Sequence, residues 1–268
     1  MSELNLQAII KQVNAILGEA QVTPKSGRMH PDVGIVPPNQ ALTRLIDHTL
    51  LKPEATARQI EMLCLEAKEY HFASACINTA YVPLAAEILR GTEVKVGATV
   101  GFPLGAMLPA VKAFEAEAAI KAGATEVDMV IHVGTLKNRD LVALFEDISD
   151  VVGVCHEADI LCKVILETCL LSKEEIVIGA QVAKLAGADF VKTSTGFSTG
   201  GASVEDVALM RSVVGEGVGV KASGGVRSVD DFKAMLKAGA NRVGTSAGVS
   251  IAKALAGESV NAPSNGNY

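Results

Sequence analysis

AGATEVDMV at residues 122–130, AGADFVKTS at 186–194 and AGANRVGTS at 238–246 are three versions of one phrase. Each places Gly-Ala between the end of a helical stretch and the start of a short apolar run. Glycine suits that junction because it readily adopts the left-handed backbone that closes a helix. The first interval is 64 residues, about two βα units, and the second is 52, so the repeat is approximate.

Working outward from these phrases gives eight strand candidates: RLIDHTLL (44–51), FASACIN (72–78), VKVGATVGF (94–102), EVDMVIHVG (126–134), LCKVILET (161–168), DFVKTST (189–195), VGVKASGG (218–225) and NRVGTSAG (241–248). Helical stretches fill the intervals. Thr56–Tyr70 opens with Thr56 and Gln59 at capping-box spacing, and Ser172 with Glu175 opens another in the same way. Pro83–Arg90 is short, Ala110–Ala122 carries Val111, Phe114 and Ala118 at helical spacing, and Val204–Val214, Val229–Lys237 and Val249–Ala256 complete the series. Eight strands alternating with helices predict an α/β fold, a closed (β/α)8 TIM barrel over residues 41–257. A doubly wound Rossmann sheet is the rival, but no G-x-G-x-x-G follows the first strand and there is no P-loop. Residues 1–40 form an N-terminal extension: an amphipathic helix carrying Leu6, Ile9, Ile10, Val13 and Leu17, then a Pro/Gly-rich stretch. Residues 258–268 are polar and rich in turn formers, and read as a flexible C-terminal tail.

Composition narrows the function. Across 268 residues, 49% are hydrophobic and the mean hydropathy is +0.32, enough for one sizeable core. A net charge of -6 argues against broad nucleic-acid binding, while leaving room for a local cationic site. No apolar run reaches the length of a membrane span, and the N-terminus lacks a signal-peptide core, so no membrane partner and a cytoplasmic location are expected. The five cysteines (Cys64, Cys76, Cys155, Cys162, Cys169) form no close pair of the zinc-ribbon kind, and His48, His132 and His156 lie 84 and 24 residues apart. No metal site is expected from these spacings; His132 reads as structural.

Barrel chemistry gathers at the C-terminal ends of the strands. Lys192 and Lys221 stand there on consecutive strand candidates, a costly position for lysine in an apolar run because burial disfavours the charged form. A second ammonium and partial desolvation both lower a lysine pKa, freeing a neutral amine to attack a carbonyl and form a Schiff base. Asp128, in EVDMV, is the candidate proton carrier. Asp47 at the first strand end could orient a substrate hydroxyl, and Lys163 and Glu167 are expected to pair beneath the mouth. The turns STGFSTGG (194–201), SGG (223–225) and GTSAG (244–248) follow the last three strands, the usual barrel position for a phosphate cradle of backbone N–H groups. They suggest a phosphorylated aldehyde or sugar as the ligand.

Taken together, LIDHTLLKP (45–53), EVDMVI (126–131), KVILET (163–168), GADFVKTSTG (187–196) and KASGGVRS (221–228) closely resemble the 2-deoxyribose-5-phosphate aldolase family, from about residue 42 to 256. The resemblance implies a class I aldolase without metal or other cofactor, cleaving 2-deoxy-D-ribose 5-phosphate reversibly to D-glyceraldehyde 3-phosphate and acetaldehyde. By matching motif it implies Lys192 as the Schiff-base lysine, Lys221 as its pKa-lowering neighbour and Asp128 as the acid/base residue. It also implies Asp47 and Cys76 as substrate-side positions and Gly196, Gly224, Gly225, Gly244 and Ser246 at the phosphate-contacting turns; Lys163 and Thr193 are further substrate-binding candidates, and a homodimer or homotetramer is expected. Some bacterial members carry lysine directly after TSTG, where this chain has Phe197. Two alternatives stand beside this reading: another Schiff-base aldolase or transaldolase of a phosphorylated sugar, and a non-catalytic sugar-phosphate-binding barrel.

Overall fold

A computed structural model describes residues 5–25, 30, 33–36 and 40–258. Eight parallel strands close into a barrel in sequence order: β1 (Ile46–Leu50), β2 (Ser74–Ile77), β3 (Lys95–Val100), β4 (Glu126–Val130), β5 (Leu161–Ile165), β6 (Phe190–Lys192), β7 (Gly219–Ser223) and β8 (Arg242–Thr245). The seam is β1 on β8, with Ile46 opposite Val243 and Asp47 opposite Gly244. Around it run α1 (Leu6–Glu19), α2 (Ala57–Glu69), α3 (Val82–Ile88), α4 (Pro109–Lys121), α5 (Val133–Lys137), α6 (Leu141–Glu157), α7 (Lys173–Leu185), α8 (Val204–Val214), α9 (Val229–Lys237) and α10 (Gly248–Leu255). The fold is the expected (β/α)8 barrel with an N-terminal helix.

Local chemistry explains the boundaries. Both capping boxes form: Thr56 with Gln59 starts α2 and Ser172 with Glu175 starts α7, each satisfying N–H groups that the first turn leaves orphaned. The three Gly-Ala phrases supply helix-closing glycines at positive φ, Gly123, Gly187 and Gly239. Every strand is shorter than its sequence candidate, and at β6, β7 and β8 the residues that follow the strand, Thr195–Gly196, Gly224–Gly225 and Ser246, leave the sheet and line the cleft. β4 stops at Val130 rather than continuing to Gly134, since the His132 side chain accepts from Thr135 N at 3.0 Å and caps α5. The 17-residue α6 was not singled out by the sequence reading, although Leu141, Leu144, Phe145, Ile148, Val151, Val152 and Cys155 recur at helical spacing and form its buried face.

One expected packing face is reversed. Val111, Phe114 and Ala118 are exposed on α4, and the helix instead buries Lys112, Ala116 and Ala119. Lys112 decides the rotation: its Nζ donates to Val130 O at 2.9 Å and pairs with Asp147 at 2.7 Å. Small alanines then let α4 lie close to the barrel while its large apolar residues face outward.

The N-terminal extension lays α1 against α6 and α7, and the segment after it reaches the N-terminal ends of β6, β7 and β8. Val13 and Leu17 of α1 are buried, and Gln181 of α7 donates to Asn14 at 2.7 Å. Beyond α1, Lys25 N donates to Ser149 Oγ at 2.8 Å, His30 N to Asp189 Oδ1 at 3.4 Å, and Asn241 Nδ2 to Val33 O. Gly34 runs so close to the chain before β7 that a Cβ there would stand 2.1 Å from Glu216 O. The expected tail, apart from Glu258, lies outside the described residues. No helix among the described residues is long and apolar enough to cross a membrane.

Candidate active site

Strand alternation puts every second side chain inside the barrel, and here these side chains are charged. Asp47 comes from β1, Glu126 and Asp128 from β4, Lys163 from β5, Lys192 from β6, Lys221 from β7 and Arg242 from β8, all buried. Register brings the two key lysines side by side, Lys192 opposite Lys221. Room for them comes from small neighbours: a Cβ on Gly244 would stand 3.1 Å from Lys221 Cε. Lower in the barrel, Gly219 leaves space for the Phe190 ring, which would be 2.2 Å from a Cβ there.

The charges form one continuous network. Arg242 bridges Glu126, at 2.5 Å, and Asp47, at 2.9 Å. Lys163 Nζ sits between Glu126 Oε2 at 2.6 Å and Asp128 Oδ1 at 2.9 Å. Lys221 Nζ joins Asp47 Oδ2 at 2.6 Å to Asp128 Oδ2 at 2.7 Å, and Lys192 Nζ donates to that same Asp128 Oδ2 at 2.8 Å. The Asp47 Oδ2 contact is ionic, lying outside hydrogen-bond geometry, while Ser74 donates to Oδ1 at 2.6 Å. Lys163, Lys192, Lys221 and Arg242 thus face Asp47, Glu126 and Asp128, so one cation is in excess.

Lys192 is the member whose proton is held less tightly than usual. Burial pushes its pKa down and the Lys221 charge adds to that, outweighing the pull of Asp128. Lys221 is also opposed by burial, but Asp128 and Asp47 together hold its pKa above the usual lysine value. For Lys163, Asp128 and Glu126 likewise overcome desolvation. Asp128 is desolvated too, yet Lys163, Lys192 and Lys221 hold its carboxyl well below the ordinary range. Two neighbouring lysines are therefore driven apart in pKa, Lys192 down and Lys221 up, with a carboxylate of depressed pKa between them.

Above Lys192 opens a cleft of about 350 Å³. Gly196, Gly224, Gly225, Gly244 and Ser246, the expected phosphate-side residues, all line it with Lys192. Gly196, Gly224 and Gly225 have positive φ, and a Cβ on Gly201 would stand 2.2 Å from Gly224 O, so the two turns pack directly on each other. Asp47 and Lys163 are placed below the cleft, within the ion network. Cys76 is buried, its thiol pushed up in pKa first by desolvation. Thr193 does not reach the cleft lining: its Oγ1 donates to Ser223 O and accepts from Ser223 N, both at 3.1 Å, fastening β6 to β7.

The expected Lys163–Glu167 pair is replaced by other partners. Lys163 points inward to Glu126 and Asp128, whereas Glu167, two positions past β5 and in a left-handed conformation, accepts from Thr195 Oγ1 and from Thr195 N at 3.2 Å. Sequence reading also passed over Lys52 and Arg227, which line the cleft. Arg227 had a legible signal, a cation directly after the SGG turn; Lys52 had little, since one lysine after a strand is common. Phe197 lines the same cleft and meets Phe102 edge-on, ring centroids 5.3 Å apart.

The sequence profile of the DeoC/LacD family of aldolases matches residues 42–256, the whole barrel. The chain belongs to that family. This DeoC/LacD aldolase is 59% identical to the deoxyribose-phosphate aldolase of Streptococcus gordonii, over 85% of this chain and 99% of that one. It is also 59% identical to the deoxyribose-phosphate aldolase of a Thermoanaerobacter species, over 78% and 95% of the two chains. Among solved structures, the aldolase superposes on a tetrameric deoxyribose phosphate aldolase from Aeropyrum pernix with a TM-score of 0.75 and 32% identity, covering 92% of this chain and 97% of that one.

Proposed function

We propose that this DeoC/LacD barrel is a deoxyribose-phosphate aldolase, cleaving 2-deoxy-D-ribose 5-phosphate reversibly to D-glyceraldehyde 3-phosphate and acetaldehyde through a Schiff base on Lys192. The observation that carries the reading is the shared Asp128 oxygen, 2.8 Å from Lys192 and 2.7 Å from Lys221, at the floor of a glycine-lined cleft. Neutral Lys192 attacks the C1 aldehyde carbon, and the carbinolamine loses water to give a protonated imine. That imine is the electron sink. Division into two and three carbons requires the C2–C3 bond to break, with the C3 hydroxyl proton leaving as C3 becomes the aldehyde of the triose. Protonation of the resulting enamine at C2 and hydrolysis release acetaldehyde and return the amine. Asp128, ionised and in contact with the reacting nitrogen, suits the proton transfers, while Lys221 keeps the nitrogen from being a permanent cation.

The phosphate is assigned to the opposite wall. Backbone N–H groups of the Gly196 and Gly224–Gly225 turns, the Ser246 hydroxyl and the cations Lys52 and Arg227 supply what a dianion needs there. Phe197 in place of a lysine is thus offset by charge from two other loops, and a preference for the phosphorylated sugar is part of the proposal.

Two further readings belong with it. Self-association into a homodimer or homotetramer is supported by the exposed apolar side chains of Leu104, Leu108, Val111 and Phe114 around the start of α4. A cytoplasmic site of action is supported by five free cysteines, four of them buried. Light scattering with size-exclusion chromatography tests the first; a monomer at micromolar concentration refutes it.

The deciding experiment is borohydride reduction in the presence of 2-deoxyribose 5-phosphate, followed by intact mass and peptide mapping, with substrate-free and unreduced controls. A substrate-dependent adduct on Lys192 supports the proposal. Folded protein that binds the sugar phosphate and forms no adduct would be a binding barrel instead, and a preference for ketone over acetaldehyde fragments would mark a different Schiff-base aldolase.

A further inference from the structure

At the end of the barrel opposite the cleft, three potential ligands converge from elements far apart in sequence. Asp189 precedes β6, His156 lies in the last turn of α6, and His30 comes from the segment that crosses beneath the barrel. One donor atom from each of the three side chains lies within 4.8 Å of the other two. His156 Nε2 is 2.9 Å from Asp189 Oδ2, and the His30 and His156 rings meet edge-on with centroids 5.4 Å apart. His30 Nε2 is buried and has no hydrogen-bond partner.

That orphaned nitrogen is the observation to be explained. A buried polar atom without a partner loses its hydration and gains nothing in exchange, commonly about 1–3 kcal/mol. Two histidines and a carboxylate are a donor set suited to a zinc-type divalent cation. Bonds of about 2.0–2.1 Å in a tetrahedron set ligand atoms about 3.3 Å apart. The His156–Asp189 edge is already near that length, so closure needs only a small approach of the His30 ring. Around these groups the carboxylate is oriented by backbone: Cys162 N donates to Asp189 Oδ2 at 2.8 Å and His30 N to Oδ1 at 3.4 Å. The C-terminal end of α6, which carries His156, adds a partial negative charge favourable to a cation.

We propose that His30, His156 and Asp189 bind one zinc-type divalent cation at the closed end of the barrel, tying the N-terminal extension to α6 and β6. Water completes the coordination. The site is structural: Asp189 and Lys192 are three residues apart along β6, about 10 Å at strand rise, with Phe190 and Val191 between them. The cation therefore serves folding and anchoring and leaves the Schiff-base chemistry alone. No spacing in the sequence reveals it, because His30 and His156 belong to different elements 126 residues apart.

The test is zinc binding by the full chain after removal of metal with a chelator and under reducing conditions. Titration calorimetry is expected to show one Zn²⁺ per chain, with a higher Tm and slower tryptic cleavage after Lys25. His30→Ala, which leaves the buried His156–Asp189 pair in place, should weaken binding by at least about tenfold, as loss of a ligand does. Borohydride labelling of Lys192 should be unchanged in that variant, which separates this site from the catalytic one. His156→Gln gives a second, near-isosteric loss of a ligand. Co²⁺ in place of Zn²⁺ should give visible bands of tetrahedral nitrogen and oxygen coordination. Absence of stoichiometric uptake, uptake unaffected by His30→Ala, or a thiolate charge-transfer band from the nearby cysteines would each overturn the assignment.

Discussion

Lys192 and Lys221 donate to the same oxygen, Oδ2 of Asp128, at 2.8 and 2.7 Å. Two ammonium groups at one carboxylate oxygen cannot be equally content. Asp47 also reaches Lys221, at 2.6 Å, and has no such contact with Lys192. The second carboxylate breaks the symmetry, which is why burial leaves Lys192 low in pKa and Lys221 high.

Replacing the nucleophile should separate chemistry from folding. Lys192→Met, or Lys192→Ala, abolishes the reduced adduct and lowers kcat by about 10⁴-fold or more, while far-UV circular dichroism is unchanged. Because the charged form of Lys192 is disfavoured by its surroundings, Lys192→Met should not reduce Tm. A native-like adduct in either variant would refute the assignment.

Lys221→Met removes a repelling cation from Lys192 and leaves Asp128 Oδ2 to Lys192. Both changes favour the ammonium form, so the acidic limb of kcat/KM moves to higher pH. The pH–rate profile measures it, and an unshifted limb would contradict the role of Lys221.

Asp128→Asn keeps the size of the side chain and removes its charge. A loss of about 10²–10⁴-fold in kcat is expected from the missing proton carrier. Thermal stability should fall as well, by about 3–5 kcal/mol, because three buried lysines lose a shared counter-ion. A stable variant with full activity would exclude the carboxylate from the mechanism.

Arg227→Met and Lys52→Met test the phosphate wall. Each should raise KM for 2-deoxyribose 5-phosphate with little change in kcat, and leave the unphosphorylated sugar nearly unaffected. Equal effects on both sugars would place the phosphate elsewhere.

Stability should have an acid edge and an alkaline edge set by the network. Asp47 carries a depressed pKa despite burial, through Arg242 and Lys221, so its contribution is fully present above its ordinary value of 3.8 and is lost as pH falls through the depressed one. Lys163 and Lys221 carry raised values, so theirs is full below 10.5 and is lost as pH rises through the raised ones. Lys192 runs opposite, adding stability as pH rises from its lowered value towards 10.5. Denaturant midpoints measured across pH should show no fall between the two edges, rising within them as Lys192 contributes, and loss of stability well inside them would refute the coupling.

The barrel was legible in the sequence because strand length, helix capping and glycine turns are local properties. AGATEVDMV, AGADFVKTS and AGANRVGTS carry their helix ends and strands with them wherever they are placed, and lysines inside apolar strands announce buried charge. Partner choice was not legible. Glu167 follows Lys163 closely in sequence, but the strand sends Lys163 into the barrel while the left-handed turn at Glu167 delivers that carboxylate to Thr195. Val111 and Phe114 formed an apolar stripe on paper, and the Lys112–Asp147 pair turned it outward. Lys52, Arg227 and the His30–His156–Asp189 cluster are likewise products of closure, which brings remote loops together. The sequence by itself determined the elements and singled out two lysines on consecutive strands; only the tertiary structure decided which charges meet, because electrostatic pairing depends on distances across strands that no linear spacing contains.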